Sequence, residues 1–150
     1  MNKWELLEGE LYRLREKNLY RRIRVIESAQ SAHVRYRRRD MLMLSSNAYL
    51  DLCNDEFIKA CAAAALKKFG VGSGGSRLTT GTTVLHRELE EALARFKGRE
   101  SAIVFNTGFV ANSSVLPALG REGDVIYSDE RNHASIIEGC RLSRAETVVY

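Results

Sequence analysis

Ser101-Ala-Ile-Val-Phe-Asn-Thr-Gly-Phe-Val-Ala-Asn112, followed after a helical stretch by Asp124-Val-Ile-Tyr-Ser-Asp-Glu-Arg-Asn-His133, is the part of the chain from which its architecture can be read. Ser101 to Phe105 is a short apolar run rich in β-formers. After Asn106 the pattern changes to small and apolar residues at helical spacing, which predicts a strand-to-helix turn at Thr107-Gly108-Phe109. A turn of this kind aims backbone N–H groups at an anion, the positive end of the helix dipole adds attraction, and Gly108 removes the side chain that would hold a phosphate off the backbone. A second strand, Asp124 to Ser128, then carries the chain to His133. A right-handed crossover would return it parallel to the first strand and set the imidazole beside the phosphate cradle. The plainer reading of the same residues is that Gly108 makes a turn and His133 caps a helix.

Around this stretch the spacing predicts helices from about Gly108 to Leu119 and His133 to Leu142, and a strand over 146–150. Strand, helix, strand, helix, strand in this order specifies a parallel, doubly wound α/β sheet. Pro117 is expected near a helix end or at a kink, because proline removes a hydrogen bond and crowds the preceding turn. The run Thr147-Val-Val-Tyr150 needs cover on both faces in such a sheet, so the chain is expected to be the front part of a longer protein.

Upstream, Trp4, Leu7, Leu11 and Leu14 predict an amphipathic helix. Val34 to Tyr36 and Met41 to Leu44 read as two strands joined through Arg37-Arg38-Arg39-Asp40. Ile58, Ala62, Ala65 and Phe69 mark a helix with Asn54 as N-cap and Gly70 as its stop, and Leu85, Leu89, Ala92, Leu93 and Phe96 mark another, ended by Gly98. His86, near the start of that helix, reads as a structural hydrogen-bonding residue. Gly70-Val-Gly-Ser-Gly-Gly-Ser76 satisfies Gly-x-Gly-x-x-Gly but follows a helix, so it is not a dinucleotide-binding turn, and no Lys-Ser/Thr follows for a nucleoside triphosphate. It is either a flexible turn or a loop that closes over a ligand or reaches a neighbouring subunit.

With 150 residues, 45% hydrophobic and 28% charged, the chain suits one globular domain. Residues 1–40 hold 11 basic and 6 acidic side chains while the rest hold 12 and 13, so the basic excess is N-terminal. No nucleic-acid module accompanies it, and a basic binding arm over 13–39 is a minor alternative. Cys53, Cys61 and Cys140 form neither a disulfide framework nor a metal cluster, and no apolar run reaches membrane-spanning length. The expectation is a cytoplasmic protein with no metal, no membrane and no nucleic-acid partner.

Ser46-Asn-Ala-Tyr-Leu50, Gly72-Ser-Gly-Gly-Ser-Arg-Leu78, His86-x-x-Leu89-Glu90, Phe105-x-x-Gly108-Phe109-x-Ala111-Asn112 and Asp129-x-x-Asn132-His133-Ala-Ser-Ile136 occur in an order that resembles the α-oxoamine synthases, pyridoxal 5′-phosphate (PLP) enzymes of the aspartate-aminotransferase fold, fold type I. The resemblance extends over nearly the whole chain. It implies an N-terminal helix and short strands over 1–45, and the first part of a PLP-binding large domain, with its mostly parallel sheet, over 46–150. It also implies that Gly108 and Phe109 hold the PLP phosphate, and that His133 stacks on the pyridine ring and contacts the amino-acid substrate. Arg21 is implied to meet the acyl substrate, Asn47 to lie at the cleft, and the Gly72–Arg77 loop to approach the site across a homodimer interface. The implied reaction joins a small amino acid to an acyl thioester with loss of CO2. The lysine that anchors PLP in the family, and the aspartate that pairs with the ring nitrogen, match nothing here: Lys3, Lys17, Lys59, Lys67, Lys68 and Lys97 all fall outside that motif. This chain alone is therefore expected to be inactive, and a non-catalytic homologue that binds a subunit is the alternative of another class. Asp51 stands where the family pattern has a glycine that would allow an unusual backbone angle, and the usual proline soon after is missing.

Overall fold

In the computed structural model, which describes residues 2–150, each element can be traced to its local sequence. Helix α1 (Lys3–Glu16) begins in a capping box: the Asn2 side chain accepts from Trp4 N at 2.8 Å and Asn2 N donates to the Glu5 carboxylate at 2.9 Å. Strands β1 (His33–Tyr36) and β2 (Arg39–Leu42) form an antiparallel hairpin in which Tyr36 pairs with Arg39. The connection is therefore the two-residue loop Arg37-Arg38, not the four residues expected, and β2 starts two residues before Met41. Both loop residues have positive φ, 50° and 60°. Left-handed angles at both positions mark the type I′ turn, one of the two that match the strand twist, and strand pairing here overrides the poor suitability of arginine.

The segment Tyr49–Asn54 is a short 3-10 element that turns through two left-handed residues, Leu50 (φ 60°, ψ 12°) and Asp51 (φ 53°, ψ 27°). This is the position where the resemblance expects glycine. Asp51 holds the turn by accepting from Ser31 Oγ at 3.1 Å and from Asn54 Nδ2, which also donates to the Gln30 carbonyl at 2.9 Å. Asn54 is thus committed to the turn. The N-cap of helix α2 (Glu56–Phe69) is Asp55, whose carboxylate accepts from Ile58 N at 2.9 Å.

The chain divides into two compact units, the first ending at Val71 and the second spanning Gly72–Tyr150. In the second, helix α3 (Val84–Lys97) is followed by an extended segment, helix α4 (Gly108–Leu119), strand β3 (Val125–Ser128), helix α5 (Ala134–Leu142) and strand β4 (Glu146–Val149). The strands pair in parallel, Val125 with Glu146 through Ser128 with Val149, as the crossover requires. Pro117 lies in the last turn of α4, where it costs the helix least.

The first predicted strand is the correction. Ser101–Phe105 is extended but pairs with no strand among the described residues. Side chains take the ladder's place: Val104 N donates to Glu90 at 2.9 Å, and the Val104 carbonyl accepts from Arg77 at 3.1 Å. The parallel sheet of this unit is therefore β3–β4.

Helices α4 and α5 lie against each other in the same direction, since Asn112 faces Ser135 and Gly139, and Leu116, one turn on, faces Gly139. Gly139 permits this: a Cβ there would stand 2.6 Å from the Asn112 carbonyl and 2.7 Å from Leu116 Cδ1. Ser135, Gly139 and Cys140 form the buried stripe of α5.

Candidate functional site

Helix α4 opens at Thr107, whose hydroxyl accepts from Val110 N at 3.1 Å while its carbonyl accepts from Ala111 N at 3.0 Å. The N–H groups of Gly108 and Phe109 have no acceptor among the described residues. An α-helix leaves its first donors unsatisfied in this way, and they coincide with the positive end of its dipole. Gly108 is exposed, and a Cβ added to it would meet nothing within 4 Å. Glycine is therefore not needed here for packing or for a left-handed angle; its effect is to leave the mouth of the helix open.

His133 is the N-cap of α5, its Nδ1 accepting from Ser135 N at 3.2 Å and lying 2.7 Å from Ser135 Oγ. The ring is exposed. Because α4 and α5 run the same way and Asn112 Nδ2 bonds Ser135 Oγ at 2.9 Å, the two N-termini stand at the same end of the pair. Gly108, Phe109 and His133 are thereby brought to one edge of the unit. His133 also does what the plainer reading asks of it, since the ring caps α5 through one nitrogen and leaves the other outward.

Arg21 and Asn47 belong to the first unit. Both are exposed, and neither side chain bonds another described residue; Asn47 contributes only its carbonyl, to Tyr49 N at 2.9 Å. His86 binds Thr83 at the start of α3, with Nδ1 2.9 Å from the Thr83 hydroxyl, and is structural as expected.

The glycine-rich stretch is not a slack turn. Ser73 Oγ donates to the Gly81 carbonyl at 2.8 Å, Gly81 N donates to the Ser76 carbonyl at 2.8 Å, and the loop crosses itself so closely that a Cβ on Gly81 would overlap the Gly75 carbonyl. Arg77 then fastens it outward. Its guanidinium grips Glu90 on α3 bidentately, at 2.6 and 3.0 Å, and the extended segment through Val104. This pairing, with the Val104 N–H, holds the Glu90 carboxyl down at about 2, while the same carboxylate raises Arg77 above its ordinary value. A cleft of about 430 Å³ lies between Arg77, Leu78 and Thr82 on one side and Ile103–Asn106 and Val110 on the other.

Neither this clamp nor the Asn112–Ser135 bond was assigned a role from the sequence. Arg77, Glu90, Asn112 and Ser135 all lie inside the matching motifs, but nothing in their spacing pairs them across the fold.

The family model described as aminotransferase class I and II matches residues 39–150. The chain belongs to that family and, within it, to the α-oxoamine synthases, with the fold of the N-terminal segment of the fold type I PLP-dependent transferases. It is 50% identical over 144 residues to an 8-amino-7-oxononanoate synthase of Geobacter sulfurreducens, covering 96% of this chain and 37% of that protein. It is likewise 50% identical over 141 residues to a Thermus thermophilus protein named 8-amino-7-oxononanoate synthase/2-amino-3-ketobutyrate coenzyme A ligase, covering 94% and 36%. Among solved structures, a serine palmitoyltransferase from S. paucimobilis with a bound PLP–myriocin aldimine superposes with a TM-score of 0.85 at 34% identity, over 99% of this chain and 39% of that one. The 8-amino-7-oxononanoate synthase of Francisella tularensis superposes with a TM-score of 0.59 at 31% identity, over 71% and 29%. The chain thus spans little more than a third of the length of the curated relatives it matches. Among the described residues, no helix is long and apolar enough to cross a membrane.

Proposed function

We propose that the protein to which this chain belongs is a PLP-dependent acyltransferase that condenses a small amino acid with an acyl thioester and releases CO2. The observation that carries the reading is that α4 and α5 begin at the same end of their pair, the first with the free N–H groups of Gly108 and Phe109 and the second with the ring of His133. The residues fit the cofactor. Two unpartnered amides at a helix mouth left clear by glycine suit a phosphate, and an exposed imidazole fixed through one nitrogen suits a flat heteroaromatic ring. In this assignment Gly108 and Phe109 hold the phosphate, and His133 lies on the pyridine and donates from Nε2 to the substrate.

PLP, when bound, supplies the electron sink that makes the amino-acid Cα–H acidic and allows the carboxylate to leave. The chain's own residues would bind and orient: α4 would hold the anion, and His133 would lie on the ring and contact the amino-acid substrate. Arg21 and Asn47 are assigned to substrate recognition, Arg21 as a guanidinium toward the acyl group and Asn47 at the cleft. The covalent lysine anchor is assigned to the remainder of the protein, which is read as a cytoplasmic homodimer.

Within the class, the relatives' names favour L-alanine and a pimeloyl thioester, giving 8-amino-7-oxononanoate. The double name of the Thermus protein and the fuller superposition on serine palmitoyltransferase favour a reading one level coarser, in which the substrate pair is another α-oxoamine synthase combination such as glycine with acetyl-CoA. Full-length protein with PLP is offered alanine, glycine or serine in turn with pimeloyl-, acetyl- or palmitoyl-CoA, and free thiol and CO2 are measured. One pair should release both in equal amounts. Release by none of the nine pairs would overturn the proposal.

A further inference from the structure

We propose that Asn112 and Ser135 are positioning residues that dictate the tautomer of His133, presenting its Nε2–H outward from the edge shared by α4 and α5. The chain of bonds admits one polarity. The backbone N–H of Ser135 points at His133 Nδ1 at 3.2 Å, so that nitrogen is an acceptor and carries no proton. Ser135 Oγ lies 2.7 Å from the same nitrogen, and two lone pairs cannot face each other at that distance, so the hydroxyl proton points to Nδ1. With its proton committed, Ser135 Oγ can only accept from its other neighbour, Asn112, whose amide nitrogen is 2.9 Å away. Ser135 therefore fixes the ring through both its N–H and its hydroxyl, Asn112 of α4 holds that hydroxyl in the same sense, and the proton of the neutral imidazole resides on Nε2, for which no described residue is an acceptor.

Burial makes the arrangement selective. Ser135 is only 1% exposed, so no water competes for its hydroxyl, whereas His133 is exposed and offers its free edge to a ligand. Gly139 keeps the helices near enough for Asn112 to reach across. The inference rests on the proposed function only for the use made of the outward N–H, as a donor to the amino-acid substrate; the relay itself is a property of the PLP-free protein.

The test uses full-length, PLP-free protein with isotope-labelled histidine, the His133 ring nitrogens being assigned by their loss in His133→Gln. The wild type should show a pyridine-like Nδ1 and a pyrrole-like Nε2; the reverse pattern overturns the proposal without any further variant. Asn112→Asp has the same shape but turns the donor into an acceptor, which should draw the hydroxyl proton away and move the Nδ1 resonance toward the pyrrole-like range. In a Ser135→Ala background the same change should move it by less than half as much. An unmoved Nδ1, or an equal shift in both backgrounds, overturns the relay. Titrating the same wild-type sample with PLP separates the two claims: the expected tautomer without PLP binding refutes the proposed function and leaves the relay standing.

Discussion

Arg77 and Glu90 meet through two parallel hydrogen bonds, 2.6 and 3.0 Å long, that tie a glycine-rich loop to helix α3. The same carboxylate accepts the Val104 N–H, so three separate pieces of the second unit converge on one side chain. Fork-to-carboxylate geometry is the strongest form of side-chain pairing at the edge of solvent.

Acid should release this clamp. Glu90 is held at about 2, against an ordinary value of 4.5, so the unfolded chain binds the extra proton first between those limits. Stability then rises with pH through that window: the contribution is fully present above about 4.5 and is lost as the pH falls toward 2. Thermal melts of the wild type and Glu90→Gln, followed by circular dichroism, should converge as the pH is lowered across this range. A constant gap between them would refute the assignment.

The close approach of α4 and α5 predicts an intolerant position at Gly139. Alanine there places a methyl carbon 2.6 Å from the Asn112 carbonyl, and the helices must part. Gly139→Ala should destabilise by about 1–3 kcal/mol, the usual cost of overpacking, despite alanine's better helix propensity. Denaturant unfolding measures it, and unchanged stability would contradict the packing.

Gly108 should behave in the opposite manner. Its surroundings are open, so Gly108→Val leaves packing untouched and the melting temperature close to that of the wild type. In the proposed function the valine side chain stands where the phosphate enters, and PLP affinity of the full-length protein should fall at least tenfold. Fluorescence titration with PLP reads the affinity. An unaltered dissociation constant would remove Gly108 from the phosphate site.

Asp51 occupies left-handed backbone while accepting two side-chain hydrogen bonds. Asp51→Ala keeps the strained angle and loses both acceptors, which should cost about 1–3 kcal/mol, given about 0.5–1.5 kcal/mol per net hydrogen bond. Asp51→Asn, which tolerates the left-handed region and keeps one acceptor, should cost about half as much. Urea unfolding of the three proteins orders them; alanine equal to the wild type would refute the role of the side chain.

Local signals carried much of this fold. The change from β-forming to helical spacing at Asn106 located α4 at Gly108–Leu119, and Gly98 and Gly70 ended their helices where expected. The β3–α5–β4 crossover followed from element order alone. What could not be read were the long-range choices. The run Ser101–Phe105 has every strand-forming residue, yet its polar backbone is answered by Arg77 and Glu90 instead of a neighbouring strand, and periodicity carries no information about partners. Asn54 and Asp55 are both good caps. Which one serves α2 was decided by Asp51 and the Gln30 carbonyl, which engage Asn54 first. At the candidate site, Gly108 and His133 were individually legible from their turn chemistry, while the Asn112–Ser135 link between them is a contact 23 residues apart that exists only once the helices pack.

The self-crossing loop sets rules for anyone wishing to diversify it. A side chain at Gly81 would strike the Gly75 carbonyl, so it cannot be exchanged while the facing backbone stays put, whereas one at Gly75 would meet the Thr80 hydroxyl and require that side chain to turn away. Gly74, just before Gly75, stands in open space without a left-handed backbone angle. A combinatorial library that randomises the exposed Leu78, which lines the adjoining cleft, together with Gly74, and freezes the two crossing glycines, would vary that rim without loosening its frame.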